Sequence, residues 1–112
     1  MSQPVLSRLL DLQEKQRVPD GAGGFTSTWT TLGSIWAELR PRRGRERAYD
    51  ASVVSQVPYT VTVRGAPQGA QARPKPDQRF QAGARVFRIT SVMEADPDAR
   101  FLICDAIEEV LA

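Results

Sequence analysis

Proline and glycine divide this chain into segments that are too short for long helices. Eight prolines and eight glycines are spread over 112 residues, and both residue types interrupt helices and form turns. Between them lie short runs in which apolar and polar residues alternate, the pattern of a strand with one buried face. No apolar run reaches the roughly 20 residues that a membrane-spanning helix needs. The pattern predicts one domain of short strands joined by turns.

The first half of the chain contains two strand regions. Residues 10–17 alternate, although a helical turn over residues 4–10 also fits the leucine spacing, and both interpretations stay open. Residues 25–31 are rich in aromatic and β-branched side chains, and the glycine-rich turn before them predicts a hairpin. A bulge or bend is expected at residues 32–33. Residues 35–40 then alternate as a half-buried strand.

The second half of the chain repeats this pattern. The predicted strands are residues 57–64, 79–81, 85–93 and 101–107. Within residues 85–93, the period of two places Phe87, Ile89 and Met93 on one face. Val86 and Val92 are then on the other face. The predicted fold class is mainly β: a small antiparallel β-barrel or sandwich of five to six short strands, with one short helix at most and long loops.

Composition argues against an enzyme. The chain has no histidine, which removes the commonest general base and the commonest transition-metal ligand. The carboxylates are scattered, and Asp96 and Asp98 offer too few ligands for calcium. Cys104 cannot form an internal disulfide and lies in an apolar run, so it is expected to be a small buried side chain. We expect no catalytic residue, cofactor or metal, and the N-terminus has no secretory signal pattern.

An arginine cluster is the sharpest functional signal. Five arginines fall within eight residues: Arg40, Arg42, Arg43, Arg45 and Arg47. Arginine matches phosphate oxygens well, so the cluster could face a nucleic-acid backbone. The alternative is a solvated loop whose arginines pair with Glu38 and Glu46. The net charge of +2 is too small to decide between them.

The two tryptophans also have two interpretations. Trp29 and Trp36 could form a stacking platform for bases. Tryptophans in a small β-domain are more often core residues or subunit-interface anchors, and we expect that role for them. Glycines 21, 23 and 24 fit a turn, because no phosphate-binding pattern follows them.

Two loops could carry function. Residues 41–56 begin strongly basic and have weak helical spacing, which fits a loop or a short helix. Residues 65–78 contain proline, glycine, glutamine and alanine but no large apolar side chain, so we expect an exposed, flexible loop. A long loop in a compact domain is more often functional than accidental.

The order of these features resembles a known family. The residues that carry the resemblance are PDGAGG at 19–24, TWT at 28–30, IWAE at 35–38, GRE at 44–46, YTVTV at 59–63 and GARVFRI at 83–89. The set is similar to the head-tail joining proteins of tailed bacteriophages, also called head-closure or stopper proteins. The resemblance covers residues 6–107.

The resemblance implies a structural virion protein. Such a β-barrel assembles as a ring of about twelve copies beneath the portal and its adaptor. The ring retains packaged double-stranded DNA without sequence preference and docks the tail terminator or tail tube. The resemblance implies that residues 41–56 face the channel, with Arg42, Arg43, Arg45 and Arg47 toward DNA, and that Trp29, Trp36 and Phe87 lie in the core or in subunit interfaces.

Some questions stay open at this point. The family resemblance implies assembly in a bacterial cytoplasm into a particle, either an infectious phage or a phage-like gene transfer agent. Residues 65–78 depart from the usual pattern, so either that loop or residues 41–56 could gate the channel. The alternative function is a free-standing nucleic-acid-binding barrel of the OB or SH3-like type.

Overall fold

The computed structural model describes residues 3–42 and 54–111. It contains six antiparallel strands that pair in the order β1-β2-β3-β6-β5-β4 and close into a barrel, because β4 returns to β1. The strands are β1 (Arg8–Pro19), β2 (Phe25–Pro41), β3 (Val54–Arg64), β4 (Arg79–Ala82), β5 (Arg85–Glu94) and β6 (Phe101–Leu111). This confirms the mainly β prediction.

Two helical predictions have different outcomes. The described residues contain no helix, and β1 begins at Arg8, so the strand interpretation of the N-terminal leucines is correct and the helical turn over residues 4–10 is wrong. The short helix considered within residues 41–56 falls mostly outside the described residues. β6 pairs with both β3 and β5 and so has a strand on each side.

The core lies inside the barrel. Side chains at alternate positions of each strand point inward and fill it. On β3, Val61 and Val63 alternate with Thr60 and Thr62 and are fully buried. Every strand contributes to the same cluster. Its members are Leu10, Leu12, Ala37, Val61, Val63, Phe80, Phe87, Ile89, Leu102, Cys104 and Ala106. All of these are at most 1% exposed, so a small chain obtains one continuous hydrophobic core.

A bulge in β2 confirms the predicted irregularity at residues 32–33. Leu12 pairs with Gly33, but the next residue, Gln13, pairs with Thr31. Leu32 is therefore the extra residue, and its side chain packs against the core.

A second bulge corrects the face assignment in β5. Ile89 pairs with Ala106, but Ser91 pairs with Asp105, so Thr90 is an extra residue. Each side chain beyond it changes face. Val92 consequently packs against the core and Met93 is 49% exposed, the reverse of the sequence-based assignment.

The β1–β2 hairpin extends beyond the barrel. β1 pairs with β4 through residues 11–13, and β2 pairs with β3 through residues 37–41. Residues 14–31 are therefore paired only within the hairpin among the described strands, and we call them the arm. Most arm residues are exposed, and the longest dimension of the molecule is 52 Å.

The arm ends in a turn that its sequence specifies. The Asp20 carboxylate accepts hydrogen bonds from the N–H groups of Ala22 (2.8 Å) and Gly24 (3.0 Å). Gly21 and Gly23 have φ values of +81° and +85°, which glycine adopts without steric cost. The predicted turn is therefore confirmed, and its glycines serve backbone conformation.

A third glycine allows two segments to approach closely. The Gly65 N–H donates to the carbonyl oxygen of Arg100 at 2.7 Å. A Cβ at residue 65 would overlap the carbonyl oxygen of Ala99. This contact joins the end of β3 to the turn that precedes β6.

Candidate functional surfaces

The two ends of the barrel carry different elements. At one end, which we call the basic end, β2 stops at Pro41 and β3 begins at Val54. The opposite end, the arm end, carries the arm, the loop of residues 65–78 and the turn of residues 95–100. The two loops considered from the sequence, residues 41–56 and 65–78, therefore leave opposite ends of the barrel.

Arg42 is the arginine of the predicted DNA-facing group that falls within the described residues. Its N–H donates to the carbonyl oxygen of Pro58 at 2.8 Å, which extends the β2–β3 ladder by one residue. Its guanidinium lies 3.9 Å from the Asp105 carboxylate, and both side chains are partly exposed. Such a long, solvated ion pair contributes little stability. The other predicted members, Arg43, Arg45 and Arg47, lie outside the described residues.

Arg40 fits the solvated-loop interpretation of the cluster. Its guanidinium lies 3.0 Å from the Glu38 carboxylate, and the Arg40 side chain is 70% exposed. This is the pairing expected if the cluster were an ordinary surface. The arrangement of Arg40 therefore leaves Arg42 and the residues that follow it as the candidates for contact with a phosphate backbone.

A polar cluster closes the core at the basic end. Arg85 Nε donates to Glu108 Oε2 at 2.7 Å, and Arg85 Nη2 donates to Glu108 Oε1 (3.2 Å) and to the Tyr59 hydroxyl (3.1 Å). The hydrogen bond to Glu108 raises the pKa of Arg85. The Tyr59 ring packs edge-on against Phe87, with 5.2 Å between ring centroids. The cluster links β3, β5 and β6.

An exposed apolar patch lies on the outer wall of β1 and β2. Leu9 and Trp36 are paired across these strands and are 51% and 55% exposed. Val5 is 66% exposed, and its N–H donates to Glu38 Oε2 at 2.9 Å, which holds the N-terminal segment near β2. Large apolar side chains grouped in this way are typical of a surface that another protein covers.

Trp29 joins the arm to the barrel wall. The guanidinium of Arg79 lies 4.1 Å from the centroid of the Trp29 ring, a cation–π distance. Arg79 Nε also donates to Gln13 Oε1 at 2.7 Å, and burial lowers the pKa of Arg79. Trp29 and Trp36 both lie outside the core, whereas Phe87 is fully buried within it.

The loop of residues 65–78 is only partly exposed. Arg73, Pro74 and Gln78 are buried, although most of their neighbours in the loop are exposed, as expected. Arg73 Nη1 donates to the carbonyl oxygen of Ala66 at 2.9 Å. The backbone N–H of Ile89 donates to the carbonyl oxygen of Gln78 at 2.9 Å. Three buried side chains and a backbone hydrogen bond to β5 thus hold this loop, which composition alone did not indicate.

The remaining chemistry is modest. Cys104 is buried as predicted, and burial raises the pKa of its thiol to about 12. Within residues 3–42 and 54–111, no group of three or more His, Cys, Asp or Glu side chains could hold a metal ion. No helix in these same ranges is long and apolar enough to cross a membrane.

The sequence did not predict the contacts that Arg79 and Arg85 make on the barrel. Arg79 and Arg85 each contact residues that are distant along the chain. One signal was present: Glu108 falls on the inward alternation of β6, after Leu102, Cys104 and Ala106. A carboxylate at an inward position needs a partner, but the sequence does not specify which arginine provides it.

A small barrel with an exposed arm and an apolar outer patch is typical of a subunit that assembles with other proteins. The family model for phage head completion protein matches residues 1–110. The chain therefore belongs to the phage head completion protein family, which confirms the resemblance read from the sequence.

A solved structure supports the same assignment. A chain in a structure described as the virion of a native gene transfer agent particle is 49% identical to this chain. The match covers 98% of this chain and 100% of that one, with a TM-score of 0.88. No curated protein matches the chain.

Proposed function

We propose that this chain is a structural component of a phage-like particle that acts as the head-tail connector. In this role it forms a ring of about twelve copies under the portal and adaptor, retains packaged DNA and docks the tail. The observation that carries the proposal is the near full-length similarity to a chain of a gene transfer agent virion. Membership of the head completion family agrees with it.

We assign DNA retention to the connection between β2 and β3. Residues 42–53 contain four arginines and two carboxylates, Glu46 and Asp50, which gives a net charge of +2 for each copy. A ring multiplies this charge into a positive collar around a polyanion. Contacts of this kind read no bases, so retention should be non-specific and should weaken as salt concentration rises.

The anchored loop supports assigning the gate to the basic end. The loop of residues 65–78 is held by buried Arg73, Pro74 and Gln78 and leaves the opposite end of the barrel. A gate must change position to release DNA, and breaking these contacts would cost stability. We therefore propose that the part of residues 41–56 that lies between β2 and β3 acts as the gate and that residues 65–78 form a fixed surface.

The test removes charge from one end at a time. Replacing Arg42, Arg43, Arg45 and Arg47 with alanine should leave the thermal unfolding of the chain nearly unchanged and reduce the fraction of particles that keep their DNA. A control removes positive charge at the arm end by replacing Arg64, Lys75 and Arg100 with alanine, and it leaves the edges of the arm unchanged. Full DNA retention in particles with the first variant, or equal losses in both variants, would contradict the arginine role.

A free-standing nucleic-acid-binding barrel makes a different prediction. It would bind oligonucleotides as an isolated chain, and the binding would weaken with salt. A gel-shift experiment at low salt distinguishes the two functions, because the connector needs the density of charge that a ring provides. Tight binding by the isolated monomer would favour the alternative.

A further inference from the structure

The arm leaves a long strand edge open. β2 pairs with β3 only through residues 37–41, so residues 25–36 have no strand on that side within the described parts of the chain. These residues contain no charged side chain and no proline. Native proteins usually protect a free edge with charges, prolines or a covering loop. The loop of residues 65–78 lies beside part of this edge, because Gln71 and Ala72 line one cavity with residues 32–35. The remaining part, residues 25–31, is therefore a site for pairing with another strand.

The hydrogen bonds identify which groups face this edge. The carbonyl oxygen of Gly24 accepts from the Asp20 N–H at 3.1 Å, so the backbone groups of Gly24 point toward β1. Alternate residues of an antiparallel strand point to opposite sides. The N–H and C=O groups of Phe25, Ser27, Trp29 and Thr31 therefore point away from β1, toward the open edge.

The other edge of the arm is shorter and differently protected. Asp20 points its N–H toward β2, so alternation directs the backbone groups of Lys15 and Arg17 away from β2. Gln13, two residues earlier, is already paired with Arg79 of β4. Pro19 has no N–H to offer. At the β1 edge of the arm, two residues thus offer both an N–H and a C=O group for pairing. These residues, Lys15 and Arg17, both have cationic side chains.

We propose that the β2 edge of one arm pairs with the β1 edge of the arm in the neighbouring copy of this chain. This inference rests on the proposed ring. When copies are related by rotation about an axis along the arm, all β1 segments run in one direction and all β2 segments run in the other. Adjacent β2 and β1 segments are then antiparallel, and the arms join into one continuous sheet around the axis.

The charges on the two edges disfavour a symmetric contact between two β1 edges. Two β1 edges placed side by side would bring Lys15 and Arg17 against the same cations, which is unfavourable. The β2 edge offers serine, threonine and aromatic side chains and creates no like-charge contact. The cations therefore exclude pairing between two β1 edges. A contact between two β2 edges is symmetric and stops at two copies, so a closed ring requires that β2 pairs with β1.

Electron microscopy of assembled particles tests the geometry directly. The expected result is a ring in which the β2 edge around Ser27 and Trp29 is hydrogen-bonded to the β1 segment of the next copy. A ring whose arms have free edges, pair β2 with β2, or pair with a different protein would overturn this inference and leave the connector role intact. Absence of any ring would overturn the proposed ring and the inference together.

A matched pair of variants tests the energetic role. Ser27→Pro removes an N–H that points to the open edge and leaves the bonds between β1 and β2 in place, whereas Ser27→Ala keeps that N–H. The isolated Ser27→Pro chain should unfold at nearly the wild-type temperature but yield at least tenfold fewer assembled rings than Ser27→Ala. Equal ring yields for the two variants would overturn the proposal.

Discussion

The barrel and the arm share two strands but are stabilised in different ways. In its first half β1 places Leu10 and Leu12 in the core with at most 1% exposure, whereas beyond Gln13 no residue of β1 is buried. β2 shows the same division, because Ala37 is its buried residue and residues 25–31 contain none. The free energy of folding therefore comes from the barrel, and the arm mainly presents surface.

This difference explains how the arm remains ordered. An isolated two-stranded hairpin is marginally stable in water. Here both strands continue from the barrel, Arg79 stacks on Trp29, and Gln78 donates to the Glu14 carboxylate at 3.3 Å. At the far end Arg17 lies 4.3 Å from the centroid of the Phe25 ring. The arm is held by its attachment and by polar contacts, without a core of its own.

The largest predicted effect is a difference in the free energy of unfolding between one substitution in the barrel and one in the arm. Phe87→Ala should lower the free energy of unfolding by about 3–5 kcal/mol, because it leaves a cavity in a fully buried site and removes the contact with Tyr59. Phe25→Ala should lower it by less than about 1 kcal/mol, because Phe25 is 57% exposed and loses mainly a cation–π contact.

Urea unfolding followed by far-ultraviolet circular dichroism measures both values. The comparison fails if the two substitutions destabilise the chain equally, because that result would require the arm to carry a core. If Phe25→Ala changes ring assembly but leaves the unfolding midpoint unchanged, the arm contributes to assembly and not to the stability of the chain.

The barrel was largely predictable from local pattern. The strands predicted at residues 57–64, 79–81 and 85–93 correspond to β3, β4 and β5. These features depend on side-chain period and turn chemistry, which neighbouring residues specify. The hairpin turn at Asp20 was predictable for the same reason.

Features that depend on distant pairing were not predictable. The bulge at Thr90 arises from the register between β5 and β6, so the sequence of β5 alone assigned Val92 and Met93 to the wrong faces. The exposure of Trp36 depends on which face of β2 turns outward, and tryptophan is compatible with either environment. Closure of the barrel depends on β4, a strand of four residues with little pattern.

A smaller effect compares two adjacent carboxylates at the basic end. Glu108→Gln should lower the free energy of unfolding by about 1–2 kcal/mol, because Arg85 would lose a doubly hydrogen-bonded carboxylate. The effect is limited by solvent, since the Arg85 side chain is 40% exposed. Glu109→Gln should cost less than about 0.5 kcal/mol, because its pair with Arg88 is 3.8 Å long and half-exposed.

Thermal unfolding of both variants against the wild type gives this difference. If Glu109→Gln proves the more costly, the hydrogen bonds between Arg85 and Glu108 do not stabilise the basic end of the core. Stability at the basic end would then depend on the exposed pair of Glu109 and Arg88 more than on the partly buried pair of Glu108 and Arg85.

The smallest effect concerns the turn of the arm. Hydrogen bonds from the N–H groups of Ala22 and then Gly24 lower the pKa of Asp20 below its usual 3.8. A lowered pKa means that the charged form favours the folded turn, so this contribution is complete above pH 3.8 and is lost as the pH falls through the lower, folded-state value. Nuclear magnetic resonance should show the Ala22 and Gly24 amide signals titrating with a midpoint below 3.8. In Asp20→Asn, which keeps an oxygen acceptor but has no titrating proton, the same two amides should show no such titration. A midpoint at or above 3.8 would mean that the turn does not favour the carboxylate, and that the order of the arm comes from its attachment to the barrel alone.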